Sequence, residues 1–333
     1  MNTPTPPIPF VWQGRVDHED SGPTPRWHQH MQPFTPQTQG GVTLLGFAVD
    51  EGVRRNGGRP GAAQGPQAIR HMLTNLPVLG EPPLHDGGDV LAPTQADPAF
   101  DPPFDPLAHA QAALAQRVAQ VLRQGSLPVV LGGGHEVAWG SFQGLVQAHP
   151  EWQRVLVINL DAHFDLREAA QANSGTPFRQ VHDWCAAHQR PFVYRVLGIS
   201  RFGNTQALFE RAERMGVRHW LDEALQTPAD AHAALHALQA DLDQADAVYL
   251  TVCLDVLPGG QAPGVSAPSA LGVPLTVVET LIDGIVRHGK VALCDVAELN
   301  PTLDRDQLTA RVAARLVARM ARMARGLAAT RRG

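Results

Sequence analysis

The chain is poor in cysteine. Cys185, Cys253 and Cys294 are the only three in 333 residues, and no two of them form a C-x-x-C pair. So few and so scattered, they exclude a disulfide framework, and the missing pairs exclude a zinc finger. No run approaches the ~18 consecutive apolar residues of a membrane-spanning helix. The opening stretch MNTPTPPIPFVWQGRVD has neither a basic n-region nor an apolar h-region. No secretory leader is therefore expected, and a soluble, cytoplasmic protein is. A basic surplus is also missing. The formal net charge of −5 leaves no electrostatic footprint for nucleic acid or an anionic membrane. The one basic cluster, RVAARLVARMARMARGLAATRRG at the C-terminus, alternates with apolar residues at helical spacing and reads as the solvated face of a final packed helix. Neither a G-x-x-x-x-G-K-[ST] loop nor a dinucleotide fingerprint occurs, so the glycine-rich LGGGHE (131–136) is not a phosphate cradle. No internal repeat is visible, and no linker is long enough to divide the chain.

What is present is an alternation. Short apolar runs recur as TLLGFAV, LPVVLGG, RVLVINL, FVYRVLGI, AVYLTVCLDV and KVALCDV. Between most of them lie stretches with helical spacing, such as PLAHAQAALAQRVAQVLRQG and ADAHAALHALQADLDQA. Apolar strands alternating with amphipathic helices predict a mainly parallel central sheet covered on both faces, a three-layer α/β/α architecture. Residues 1–40, rich in Pro, Gln, Thr and His, read as an N-terminal arm packed on one α/β domain spanning 41–333. The Pro/Asp-rich connector at 95–106 does not split that domain, because strands resume on both sides.

In such sheets ligands bind beyond the carboxyl ends of the strands, so the residues closing each apolar run are the candidates. VLVINLDAHFDLR ends in Asp161, His163 and Asp165, whose spacing of two puts them on one side if the chain stays extended. YLTVCLDVLPGG delivers Cys253 and Asp255 by the same alternation, and LPVVLGGGHE delivers His135. Taken singly, His135 could be a turn residue and the aspartates helix caps. Three such elements on three strand ends instead suggest a site. Carboxylates this close repel one another and raise each other's pKa unless a cation sits among them. An oxygen-rich donor set with a minority of imidazole suits manganese better than zinc. A pair of such ions lowers the pKa of a shared water toward neutrality, which is what a hydrolase needs.

At these residues the sequence resembles the ureohydrolase, or arginase, family from about Gly41 to the C-terminal helix. GGGHE is similar to its first metal motif, NLDAHFDLR to its second and CLDVLPGGQAPGVSAPS to its third. DVAELNP (295–301) resembles its acidic substrate motif, and RRNGGRPGAAQGPQAIR its N-terminal glycine/arginine motif. Within the family, WQGRVD, RWHQ, DEGVRRNGGRPGA, SGTPFRQ and GISRFGNT point to the branch that hydrolyses N-formimidoyl-L-glutamate to L-glutamate and formamide in histidine degradation.

The resemblance implies an arginase-like fold, two manganese ions per subunit and a small-molecule substrate, and it is compatible with a homo-oligomer. It implies that His135 and Asp165 bind one ion, that His163 and Asp255 bind the other, and that Asp161 bridges both. Glu298 would pair with the cationic amidine. Arg179 is the first candidate for the substrate carboxylates, followed by Arg59 and Arg167, with Asn56 contributing. Asp165 or His182 would pass the proton to the leaving amine. An arginase-like chain would carry a histidine where Phe178 stands. The third motif usually reads Asp-x-Asp, with the first aspartate bridging, whereas here that position is Cys253. A thiolate also bridges two ions but favours softer metals; a protonated, buried thiol is the alternative, and it weakens the second site. Two other readings stay open: an agmatinase or guanidinobutyrase-like ureohydrolase, and a non-catalytic relative.

Overall fold

The structure, a computed structural model, describes residues 10–18, 21–93 and 104–323. The start of the N-terminal arm, most of the 95–106 connector and the end of the basic tail lie outside the described residues. In chain order the elements are α1 (Trp27–His30), β1 (Met31–Pro33), β2 (Val42–Ala48), α2 (Glu51–Arg55), α3 (Gly65–Thr74), β3 (Leu84–Leu91), α4 (Pro106–Arg123), β4 (Leu127–Leu131), α5 (Val137–Ala148), β5 (Val155–Leu160) and α6 (Pro177–Ala187). They continue with β6 (Val193–Ile199), α7 (Gln206–Arg214), β7 (Arg218–Leu221), α8 (Pro228–Gln244), β8 (Ala247–Cys253), α9 (Leu275–Arg287), β9 (Val291–Ala297) and α10 (Leu308–Met323).

Local chemistry explains the boundaries. The Asp105 carboxylate accepts the Leu107 and Ala108 amides at 2.9 and 3.3 Å, Pro106 opens α4, and Gly125 at φ 70° follows its end. Thr227 and Asp230 form a capping box at α8, with Pro228 in the first turn. On α9 the buried Val277, Val278, Leu281, Ile282, Ile285 and Val286 recur at helical spacing. Each such side chain contributes roughly 1.5–3 kcal/mol by leaving water.

The nine strands form one sheet in the order β1-β3-β2-β4-β9-β8-β5-β6-β7, and every pairing is parallel. Alternating side chains feed two cores. Leu127, Val129 and Leu131 of β4 and Leu156, Ile158 and Leu160 of β5 pack with Ile69, Leu238, Ile282 and Leu316 of α3, α8, α9 and α10. Val130, Val157 and Tyr249 face the opposite layer, with Leu114, Phe142, Val181 and Leu208 of α4, α5, α6 and α7. The expected three-layer α/β/α architecture is therefore the observed one. The arm supplies α1 and the edge strand β1, which pairs with β3. Trp27 of α1 is fully buried against that core.

From β4 the chain passes through α5 to β5, leaving a gap that β8 and β9 later fill. The carboxyl ends of β4, β9, β8 and β5 consequently lie side by side, where a doubly wound sheet opens its crevice.

Candidate metal centre and substrate cavity

The glycines of LGGGHE solve a packing problem. A Cβ on Gly133 would lie 1.9 Å from the Val49 carbonyl oxygen, and one on Gly132 would lie 3.0 Å from that of Val296. Only glycine lets this loop pass between the ends of β2 and β9. Backbone bonds then lock it: the Gly132 amide donates to the Val296 carbonyl at 2.7 Å and the Glu298 amide to the Gly133 carbonyl at 2.8 Å. In return the His135 amide donates to Glu298 Oε1 at 2.8 Å. The first metal-type motif and the acidic motif thus hold each other in register.

His135 Nε2 is 2.9 Å from Thr251 Oγ1, which leaves Nδ1 facing Asp161 Oδ2 and Asp165 Oδ2, each at 3.0 Å. His163 Nδ1 lies 3.1 Å from Asp255 Oδ2 and 3.6 Å from Asp161 Oδ1. Two donor groups result, His135/Asp161/Cys253 and Asp161/His163/Asp255, each with its donor atoms within 4.8 Å of one another. They share Asp161. The sulfur of Cys253 belongs to the His135 group and also hydrogen-bonds with Asp255 of the other, so the cysteine stands between the two donor groups.

The route by which these side chains converge differs from the simple alternation expected. β5 stops at Leu160, and Asp165 reaches inward only because its backbone is left-handed, with φ 51°. Cys253 ends β8, and Asp255 sits in a tight 3-10 turn over Leu254–Val256. Side chains that must point back over a sheet edge cannot continue its pleat; aspartate accepts the left-handed region better than most residues.

The charges are strongly interdependent. Burial opposes protonation of His135, but Asp161 and Asp165 outweigh it and hold the imidazole pKa well above its usual range. His163 is raised likewise, with Asp255 and Asp161 overcoming burial. Asp161 lies below its ordinary value despite burial, because both histidines bond it. Burial and the neighbouring Asp161 push Asp165 up to about 6. Burial, with Glu136 and Asp255 close by, pushes Glu298 up to about 8. The Cys253 thiol is raised well above its ordinary value by burial and by the charges of Asp161, Asp255 and Glu298.

A cavity of about 440 Å³ opens above this cluster. Its floor carries His135, His163, Asp165, Cys253, Asp255 and Glu298, and its mouth carries Asn56, Arg59, Arg167, Ser174 and Ser266. Asn56 Nδ2 donates to Ser174 Oγ at 3.1 Å. The Arg59 guanidinium already donates to the Val265 and Ser266 carbonyls, at 2.8 to 3.0 Å.

Arg179 and His182 are not brought to this floor. Arg179, on α6, pairs with Glu168 at 3.0 Å and Asp183 at 3.1 Å and lines a separate cavity of about 260 Å³. His182 contacts Asp183 Oδ1 at 3.0 Å and sets its ring edge-on to Phe192. One turn of α6 aims Phe178 inward instead. Its ring stacks on Tyr194 and meets the His135 ring edge-on at 5.3 Å, forming a dry wall behind that imidazole.

Several supporting residues escaped the sequence reading. Asn159 Nδ2 donates to Asp161 Oδ2 and to the Tyr194 hydroxyl, both at 2.9 Å. Thr251 fixes the His135 ring, and the Tyr249 hydroxyl donates to buried Asp295. Glu136 is buried, accepts the Gly52 amide and is pushed up to about 7, chiefly by burial. A single polar residue inside an apolar run, as in RVLVINL and YLTVCL, was the available signal.

A model of the arginase family matches residues 41–322. The chain belongs to the arginase family. Among curated members, the formimidoylglutamase of Ralstonia nicotianae is 49% identical over 320 residues, 94% of each chain. That of Aeromonas hydrophila is 51% identical over 310 residues, covering 92% of this chain and 95% of the relative. In three dimensions this arginase-family chain superposes on a formimidoylglutamase from Bacillus subtilis with a TM-score of 0.79, covering 96% of both chains at 20% identity. It also matches a Trypanosoma cruzi formiminoglutamase solved with Mn2+, at TM-score 0.74, 25% identity and coverage of 90% and 98%. Among the described residues no helix is long and apolar enough to cross a membrane.

Proposed function

We propose that the protein hydrolyses N-formimidoyl-L-glutamate to L-glutamate and formamide, using two manganese ions. The observation that carries this reading is the buried carboxyl of Glu298 beside the histidine–aspartate cluster on the floor of one cavity. A carboxyl raised to about 8 by burial and by acidic neighbours ionises when a cation is brought to it, and an amidinium is such a cation. The names and near full-length coverage of the bacterial relatives support the same substrate.

The donor set fits the metal. Asp255 Oδ1 is buried without a hydrogen-bond partner, His135 Nδ1 faces only the carboxylates of Asp161 and Asp165, and both residues lie in the overlapping donor groups. Carboxylates with a minority of imidazole are manganese-type ligands. His135, Asp161 and Asp165 would hold one ion, with Cys253 adjoining it; Asp161, His163 and Asp255 would hold the other. When bound, the ions supply positive charge that lowers the pKa of the attacking water and polarises the amidine carbon. Their binding would displace the protons that the two imidazoles otherwise carry.

The chain's own residues do the rest. Glu298, fixed by the His135 amide, orients the amidinium for attack at the formimidoyl carbon. The bond from that carbon to the glutamate nitrogen then breaks, and Asp165 passes a proton taken from the attacking water to the leaving amine. Phe178 keeps water away from the back of His135. At the mouth, Arg167 and Arg59, with Asn56 and Ser174, face the substrate's two carboxylates. A cationic tail such as that of agmatine finds no acid there. The test is a comparison of kcat/KM on the two substrates. N-formimidoyl-L-glutamate should be preferred by on the order of a hundredfold or more, because agmatine offers the arginines no carboxylate and brings a second cation to them. Preferential release of urea from agmatine would overturn the reading.

A further inference from the structure

We infer that Glu136 is a positioning residue for the substrate: its carboxylate caps α2 from outside and so sets the cavity wall that carries Val53 and Asn56. The inference deepens the proposed hydrolysis and rests on it. A five-residue helix such as α2 is too short to hold itself together, and its free first-turn amides need acceptors. The Asp50 side chain, at its N-cap, makes no cap bond. The Asp50 carboxylate is turned instead to the Gly61 and Ala63 amides, at 2.6 and 3.3 Å, and closes the base of the 50–61 loop. The Gly52 amide goes to Glu136 Oε1 at 2.7 Å, across 84 positions of sequence.

The fit around this carboxylate is close. A Cβ on Gly52 would stand 2.4 Å from the Glu136 carboxyl carbon, and one on Gly134 would stand 2.0 Å from Oε2. Both positions are glycine. The Glu136 carbonyl in turn accepts Gln111 Nε2 at 2.8 Å, which anchors the residue to α4. His135 and Glu136 therefore face different tasks from adjacent positions, one toward the ligand cluster and one toward the substrate wall. At its other end α2 is tied by Arg55, which pairs with Asp105 at 2.8 Å and donates to the Ala172 carbonyl at 3.3 Å; further along, Asn56 is tied to Ser174, Arg59 to the 265–266 carbonyls, and the Arg59 and Pro60 carbonyls to Asn300 Nδ2.

The experiment compares manganese-loaded wild type with Glu136→Ala, Glu136→Gln and Gly52→Ala. It measures kcat, KM, manganese per chain and amide hydrogen exchange across 50–61. Glu136→Ala should raise KM by about five- to tenfold, the factor expected for a lost helix cap, with kcat within about twofold. Its manganese content should be unchanged, and exchange across 50–61 should quicken. Glu136→Gln, which keeps an acceptor oxygen, should recover most of the KM. Gly52→Ala should reproduce the alanine effect from the other side of the contact. A fall in kcat at constant KM, loss of manganese, a glutamine variant no better than alanine, or unchanged exchange would each overturn the inference. If Glu136→Ala fails to fold by its melting curve, Glu136→Gln and Gly52→Ala decide. If wild type does not turn over N-formimidoyl-L-glutamate, the functional reading fails on that control, and exchange across 50–61 still tests the cap.

Discussion

Glu298 and Asp165 share an uncommon feature: both have left-handed backbones, at φ 72° and 51°, although neither is glycine. Such conformations cost of order 1–3 kcal/mol and persist where the surroundings enforce them, commonly at functional sites. At Glu298 the enforcement is visible in the paired bonds to Gly133 and His135. Replacing Glu298 with Gln keeps an acceptor for the His135 amide and removes only the charge. Steady-state kinetics should then show kcat/KM falling on the order of a hundredfold or more, as for the loss of a buried charge-assisted contact. A fall of under about threefold would separate Glu298 from the amidine. The proposed ligands were legible in the sequence because the motifs are short and each closes an apolar run. The backbone turns that aim them were not, since φ follows from contacts with other strands. Arg179 and His182 misled for the same reason: proximity in sequence to the second motif placed them, but α6 turns them toward Glu168 and Asp183.

At the scale of elements, the three glycines after β4 decide how closely β2, β4 and β9 approach. The clearest probe is Gly133→Ala, whose Cβ would meet the carbonyl oxygens of Val49 and Phe47 at 1.9 and 2.9 Å. Backbone on that side cannot move away cheaply, so overpacking of about 1–3 kcal/mol is expected, read as a lowered urea midpoint. An unchanged midpoint would show that the strand ends are free to part. The apolar runs located the strands well, and helical spacing located α4 and α8. The order of strands was beyond the sequence, because β8 and β9 enter between β4 and β5 only after β6, α7, β7 and α8 have intervened. The arm was likewise underestimated: Met31–Pro33 is too short to show a period, yet it pairs with β3.

At the scale of the whole molecule, one parallel sheet with both faces covered leaves its carboxyl edge as the place where charge is gathered. Four adjacent strand ends hold His135, His163, Asp161, Asp165, Asp255 and Glu298 in one largely buried cluster, balanced by shifted protonation. A site built this way is expected to be stabilised as well as activated by a dication, because binding to the folded form alone shifts the folding equilibrium. The most direct measurement takes chelator-stripped protein, adds manganese stepwise, and follows melting temperature, bound metal and release of glutamate and formamide from N-formimidoyl-L-glutamate. The expected result is turnover that appears only with manganese, in step with a rising melting temperature and saturating at two ions per chain. Full activity in the stripped protein, or none in folded protein that has taken up two ions, would contradict it.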